Sequence, residues 1–168
     1  MYQEQFVTLA AYNEWANRRL FESASDLTPA QFAEDRGVFF RSLLGTLNHI
    51  LSADRIWLRR FTGEGSAPDR LDAILYMDVD ALRAAREAED ARLASYVGSL
   101  SESDLATTIR YSPLTQPGII DARLGPTLLH VFNHQTHHRG QASAVITGFG
   151  LPGPSMDLVA FLRDTGRG

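Results

Sequence analysis

The chain has no cysteine, no long apolar run and no strong excess of either charge. Without cysteine, disulfides, thiolate nucleophiles and metal sites with cysteine ligands are excluded, so any bound metal must use histidine, carboxylate, carbonyl or water ligands. No run of about 18 apolar residues is present, so we expect no membrane span. A net charge of −4 does not favour nucleic-acid binding, which is typical of basic surfaces.

The length and the N-terminal residues indicate an ordinary globular protein. A chain of 168 residues suits one hydrophobic core, and we predict a single domain over residues 1–168. The first ten residues include Glu4 and lack a basic residue before an apolar run, which is not the pattern of a signal peptide. Together with the absence of cysteine, this leads us to expect a cytoplasmic protein.

Apolar residues recur at helical spacing in four long segments, which predicts an all-α fold. The segments are residues 3–24, 40–62, 79–99 and a last one that opens at Gly125 and Pro126 and ends at Gly148. Four such helices without internal repeats favour a four-helix bundle. The loop over residues 63–72 is long enough to cross over an end of the bundle, so we predict a long crossover between the second and third long helices.

Three shorter segments and one charged face complete the predicted fold. Thr28 and Pro29 predict a cap and a short helical turn. Residues 106–124 favour a small hairpin or irregular segment before the fourth long helix, and a short C-terminal helix is predicted at about 155–164. We interpret the mixed-charge face of the third long helix as a solvated surface with no role beyond solubility. That face consists of Arg83, Arg86, Glu87, Glu89, Asp90 and Arg92.

Four of the five histidines lie within nine residues of the fourth long helix. His134 and His138 are four residues apart and therefore share a helix face, the spacing with which two imidazoles bind one metal ion. Both interrupt an apolar, core-facing stripe, where imidazoles without partners would be costly and a bound metal would remove that cost. His49 interrupts a comparable stripe of the second long helix and completes a three-histidine set if the two helices face one another.

Three neutral nitrogen ligands and a water form an open site of the kind that zinc uses in catalysis. We predict a divalent metal, with zinc or nickel favoured and iron or manganese as alternatives. His130 is interpreted as a packing residue or a partner of the ligands, and His137 as a pocket-wall or surface residue. Gln135, Asn48, Arg139 or Tyr12 could line the pocket, although each is more often a structural hydrogen-bond partner. The motif contains no visible general base, so no catalytic residue is assigned.

The histidines allow three other interpretations. The segment His134–His138 has the outline of the zinc-protease H-E-x-x-H helix, but Gln135 replaces the glutamate and cannot act as a base. Dinuclear carboxylate bundles need Glu-x-x-His pairs, which this chain lacks. A structural bundle with merely buried histidines stays open as an alternative.

With these residues laid out, the chain resembles the DinB (YfiT-like) family of metal-binding four-helix bundles. The resemblance rests on three segments, Tyr12 to Leu20, Leu43 to Leu51 with Asp54 and Trp57 after it, and His130 to Gln141. It implies a bundle with a long crossover, often a homodimer, and a metal held by one histidine of the second long helix and two of the fourth. At matching positions these are His49, His134 and His138.

The resemblance implies several functions, because the family is a scaffold with divergent uses. Relatives include transferases that join low-molecular-weight thiols such as bacillithiol to electrophiles, a thiol-dependent maleylpyruvate isomerase, and hydrolase-like proteins. We therefore expect a metal-dependent enzyme of the S-transferase type that uses an exogenous small thiol. The alternatives are a non-catalytic, stress-related protein that binds a metal or small ligand, and a metal-dependent hydrolase.

Overall fold

Four long helices, three short helices and one hairpin make up the fold in a computed structural model that describes residues 2–167. The helices are α1 (Tyr2–Ala24), α2 (Pro29–Ala33), α3 (Leu43–Thr62), α4 (Val79–Ser99), α5 (Glu102–Leu105), α6 (Leu124–Gly148) and α7 (Leu158–Thr165). Strands β1 (Thr108–Tyr111) and β2 (Ile120–Arg123) pair antiparallel. The predicted all-α bundle, its hairpin and its short helices are confirmed.

The connection between α3 and α4 is the predicted long crossover. It leaves α3 at Gly63, which adopts a left-handed conformation with φ of 76°. It then returns to the N-terminal half of α3, where the side-chain oxygen of Asn48 accepts hydrogen bonds from the backbone N–H groups of Leu75 and Tyr76, at 2.8 and 3.0 Å. Because α4 begins beside the start of α3, the two helices run parallel.

Helix α6 runs antiparallel to α3 and packs against it. Trp57 in the second half of α3 contacts His130, whereas His49, about two turns earlier, meets His134, one turn later on α6. Helix α1 packs against both α4 and α6 and completes the bundle. The second and fourth long helices therefore face one another, as the three-histidine interpretation requires. Within residues 2–167, no helix is both long and apolar enough to cross a membrane.

The two larger apolar clusters of the core are separated by a buried polar layer, and a third, smaller cluster is formed by Tyr12, Ala16 and Phe161. One of the two larger clusters includes Leu20, Leu51 and Ile146, and the other includes Leu58, Leu93 and Leu128. Each long helix contributes polar residues between its two apolar parts. The polar layer consists of Asn13 and Asn17 of α1, Asp54 of α3, Arg86, Glu89 and Asp90 of α4, and Gln135 and Arg139 of α6, all of them buried.

The prediction that the charged face of α4 is solvated is therefore wrong for three of its members. Arg86 is 2% exposed and Asp90 is 3% exposed. The Arg86 guanidinium lies 2.7 Å from a carboxylate oxygen of Asp54 and 3.1 Å from one of Asp90. Glu89 is also buried and lies 3.5 Å from Arg55. Burial is possible because carboxylates and amides on neighbouring helices compensate these charges, which the sequence of α4 alone does not reveal.

The predicted start of the second long helix at residue 40 is also wrong. Helix α3 begins at Leu43, with Ser42 as an extended N-cap whose hydroxyl accepts a hydrogen bond from the backbone N–H of Gly45. Arg41 has φ of 70°, a left-handed conformation that no α-helix accommodates. Phe40 therefore lies in a tight turn before the helix, where its ring is free to fold back onto α3.

Candidate metal centre

His49 of α3 and His134 and His138 of α6 converge on one point between the two helices. The Nε2 atoms of His49 and His134 lie 3.1 Å apart, and one ring nitrogen of each histidine lies within 4.8 Å of the others. His49 and His138 are buried, and His134 is half-buried. The structure thus brings together the three residues that the sequence singled out.

Two of the three rings are oriented by hydrogen bonds. His49 Nδ1 lies 2.8 Å from the carbonyl oxygen of Leu71, and since a carbonyl only accepts, this nitrogen carries the proton. His138 Nδ1 donates in the same way to the side-chain oxygen of Gln141, at 2.7 Å. In both rings Nε2 is left with a lone pair. Such partners fix the tautomer of metal-ligating histidines and raise their basicity.

The donor set fits a small divalent cation. Two nitrogen ligands of a tetrahedral zinc, each about 2.0–2.1 Å from the ion, lie about 3.3 Å from each other. The 3.1 Å between His49 Nε2 and His134 Nε2 is close to that separation. All-nitrogen donors suit zinc, nickel and iron better than magnesium or calcium, which prefer oxygen. His49, His134 and His138 are the residues that would hold the ion.

The electrostatic environment keeps the three rings neutral. Burial lowers the pKa of His49 to about 4, although the hydrogen bond to Leu71 opposes this shift. Burial, with the neighbouring histidines adding to it, lowers the pKa of His134 to about 3. The pKa of His138 is also lowered by burial. Neutral imidazoles at pH 7 have the free lone pairs that metal binding requires.

Aromatic side chains surround the histidine cluster. The ring of Phe40 stacks on His49, with 3.8 Å between centroids and 17° between planes, and meets His138 edge-on at 5.7 Å. His130 packs edge-on against Trp57 at 5.4 Å, in agreement with its predicted packing role. His137 is exposed and accepts a hydrogen bond from the side-chain amide of Gln141, in agreement with a surface position.

A cavity of about 390 Å³ opens beside the cluster. His49 and His134 form part of its wall, α3 and the hairpin with its β1–β2 connection supply most of the rest, and the crossover adds Leu71. The wall is mainly apolar and aromatic, with Arg60 as a cationic group. The lining consists of His49, Ala53, Ile56, Trp57, Arg60, Leu71, Tyr111, Pro113, Leu114, Thr115, Gln116, Ile120, His130 and His134. Its volume lies within the range of small-molecule sites, about 300–1,000 Å³.

Gln135, Asn48, Arg139 and Tyr12 are not among the residues that line this cavity, and of the two roles considered for them they take the structural one. Gln135 points into the bundle, where its amide donates a hydrogen bond to Asp54. The side-chain oxygen of Asn48 accepts hydrogen bonds from the backbone of the crossover. Tyr12 and Arg139 border a different cavity, near Met156. These polar groups bond one another and the backbone between helices, and so hold the bundle together.

Sequence reasoning missed the groups that orient and cover the cluster. The Leu71 carbonyl lies on the crossover. Because every residue has a backbone carbonyl, the sequence does not indicate which one accepts the His49 hydrogen bond. Phe40 lies in a turn with an unusual conformation. Gln141 was detectable, because it is three residues after His138 and therefore on the same helix face.

These features define an antiparallel pair of helices within a four-helix bundle that carries a three-histidine cluster able to hold a metal ion. The chain belongs to the DinB family, whose sequence profile matches residues 1–167. It is 24% identical over 169 residues to Protein DinB of Bacillus subtilis (strain 168), an alignment that covers 92% of this chain and 91% of that protein.

The fold is similar to that of a solved relative. The crystal structure of a DinB-like protein from Bacillus cereus ATCC 10987 matches with a TM-score of 0.70 over 92% of this chain and 99% of the other, at 19% sequence identity. At that identity the likeness establishes the bundle fold, and the chemistry must be argued from the site itself.

Proposed function

We propose that this protein binds a divalent metal at His49, His134 and His138 and joins an exogenous low-molecular-weight thiol to an electrophile. The observation that carries the proposal is the opening of the histidine cluster into the 390 Å³ cavity, with His49 and His134 in its wall. A structural metal site is closed by protein ligands, whereas a catalytic site keeps one position open toward substrate. Zinc or nickel is the ion that we expect there.

A thiol suits this cavity better than water as the nucleophile. Of the described residues that line it, none is an aspartate or glutamate, so no carboxylate is placed to take a proton from water. A thiol depends less on a general base than water does, because the pKa of a thiol is about 8.5 before any activation. A bound divalent cation would favour the thiolate form of a thiol coordinated to it. The chain has no cysteine, so the thiol must come from outside.

The residues of the chain have separate roles in this scheme. The three imidazoles, kept neutral by burial, provide nitrogen donors without adding charge. The aromatic wall excludes water from the nucleophile and offers an apolar surface to the electrophile. In the transfer the sulfur forms a bond to carbon, the leaving group departs with the electron pair, and the thiol proton is released to solvent.

Turnover by metal-loaded protein tests the proposal. The zinc-loaded and nickel-loaded chain is incubated with bacillithiol, mycothiol or glutathione and 1-chloro-2,4-dinitrobenzene, and the thioether is quantified by mass spectrometry. We expect acceleration with at least one thiol, and loss of it in His138→Ala. A metal-loaded protein that gives only the uncatalysed rate with all three thiols contradicts the enzymatic proposal and favours a non-catalytic binding protein. Hydrolysis of the electrophile without thiol would favour a hydrolase.

A further inference from the structure

Arg60 stands in the wall of the cavity, about three helical turns along α3 from His49. Its guanidinium carbon lies 4.5 Å from the ring centroid of Trp57 and 4.6 Å from that of Tyr111. One of its nitrogens donates a hydrogen bond to the carbonyl oxygen of Ser112, at 3.0 Å. Two aromatic faces and one carbonyl therefore fix the orientation of this cation.

The Arg60 side chain has unused hydrogen-bond donors, and no carboxylate among the residues that the structure describes forms an ion pair with it. A guanidinium carries five N–H donors, and within residues 2–167 Arg60 makes one hydrogen bond and no ion pair. Two other arginines in this region differ from Arg60, since Arg55 pairs with Glu89 and Arg110 pairs with Asp121. Partial burial lowers the pKa of Arg60, as expected for a cation that loses water without gaining a carboxylate.

A second cavity, of about 460 Å³, adjoins the first and is also bordered by Arg60. It adds Arg59 and Arg110 to the wall and contains one carboxylate, that of Asp69. Of these three arginines Arg110 is paired with Asp121, and Asp69 supplies one further carboxylate, so an excess of one positive charge remains at this end of the combined space in a chain whose net charge is −4. A local positive charge of this kind attracts anions and disfavours cations.

We propose that Arg60 binds a carboxylate of the thiol, so that the protein selects thiols with an acidic group at the end remote from the sulfur. The inference rests on the proposed function, because it places the sulfur at the histidine cluster and the carboxylate at the opposite end of the same cavity. A planar guanidinium matches a carboxylate with two parallel hydrogen bonds.

The spacing along α3 sets the length of such a thiol. Arg60 is eleven positions after His49, which corresponds to an axial rise of about 16 Å. The arginine side chain spans part of that distance, so the sulfur and the carboxylate of the ligand lie on the order of 10 Å apart. A two-carbon thiol is too short to reach both ends, and a peptide-sized or conjugated thiol is long enough.

Two probes of equal length and different charge test the inference. Binding of 8-mercaptooctanoate and of 8-mercapto-1-octanol to the zinc-loaded chain is measured by isothermal titration calorimetry. We expect the acid to bind about ten to a hundred times more tightly than the alcohol. In Arg60→Gln the two affinities should become nearly equal. Arg59→Gln removes the same charge from the adjacent, exposed position and measures the effect of general charge, so it should weaken binding of the acid less than Arg60→Gln does and leave a clear preference for the acid.

Equal affinities of the wild-type chain for acid and alcohol would overturn the inference, whether or not the Arg60→Gln variant folds. A preference that survives in Arg60→Gln, or that Arg59→Gln loses equally, would also overturn it, because the general positive charge would then suffice. Octanoate and 1-octanol are compared on the zinc-free chain as a separate arm. An Arg60-dependent preference for octanoate there supports the anion site even if metal binding and turnover fail.

Discussion

The Nε2 atoms of His49 and His134 face each other at 3.1 Å, from helices that run in opposite directions. His49 already carries its proton on Nδ1, so its Nε2 presents a lone pair. Without a cation the facing nitrogen of His134 must carry a proton, since two lone pairs at this distance repel. A divalent metal held by these residues would replace that proton and accept both lone pairs, which is why we regard this pair as the core of a metal site.

Gln141 orients one of the proposed ligands, and its loss should weaken metal binding without abolishing it. Its side-chain oxygen accepts the Nδ1 proton of His138 at 2.7 Å. We expect Gln141→Leu to lower the affinity for zinc about 10- to 100-fold, the usual effect of removing such a partner. Competition with a chromophoric chelator measures this change. Gln116→Leu, in the cavity wall but away from the ligand nitrogens, is the matched control and should bind zinc like the wild type.

The stability of the metal-free protein should depend on pH through His49. Burial lowers the pKa of this residue to about 4, from an ordinary value of 6.5. As the pH falls below 6.5 the unfolded chain takes up a proton that the folded chain does not, so acid favours unfolding. The stabilising contribution is therefore present above pH 6.5 and is lost as the pH falls toward 4. Asp54 has the opposite effect on the pH dependence of stability. Burial raises the pKa of this residue to about 7, so the stabilising contribution of its protonated form is lost as the pH rises toward 7.

A comparison with His49→Gln separates the two effects. Urea denaturation of the metal-free wild type and of the variant at several values between pH 4 and 7 gives the free energy of unfolding of each. The variant should lose less stability than the wild type as the pH falls from 6.5 to 4. Parallel curves for the two proteins would contradict the assignment of a neutral, buried His49.

Arg86 should be important for stability, in contrast to the surface role predicted from the sequence. Its guanidinium compensates the buried carboxylates of Asp54 and Asp90. Arg86→Met leaves both without this partner and should lower the free energy of unfolding by about 3–5 kcal/mol. Arg59→Met, at an exposed position, should change it by no more than about 0.5 kcal/mol. Urea denaturation at pH 7 checks both values, and similar small losses would show that the polar layer is not stabilising.

The helices and the histidine cluster could be predicted because both depend on local sequence. The period of the apolar residues placed α1, α4 and α6 within a residue or two of their ends. The separation of four residues put His134 and His138 on one face, and the apolar stripe around His49 indicated which side of α3 faces the bundle. Signals of this kind lie within one element and need no knowledge of the neighbouring helices.

The polar layer and the cavity could not be predicted, because they depend on which helices are neighbours. The sequence of α4 alone predicts an exposed position for the charged residues Arg86 and Asp90. They are buried because Asp54 of α3 and Asn17 of α1 bond to them in the folded protein. One side of the cavity wall comes from the hairpin connection and from Leu71 of the crossover, and the paths of these segments are set by tertiary contacts such as those of Asn48. The start of α3 was misplaced because the left-handed conformation of Arg41 has no sequence signature.

Metal content of purified protein tests the central claim most directly. The wild-type chain, His138→Ala and His137→Ala are each loaded with zinc or nickel, passed over a desalting column and measured by inductively coupled plasma mass spectrometry. His137 is the matched control, because it is exposed and rotated by about 100° from its neighbour on α6. We expect about one equivalent of metal in the wild type and in His137→Ala, and almost none in His138→Ala. A full equivalent retained by His138→Ala, or a wild type that takes up neither metal, would contradict the three-histidine site.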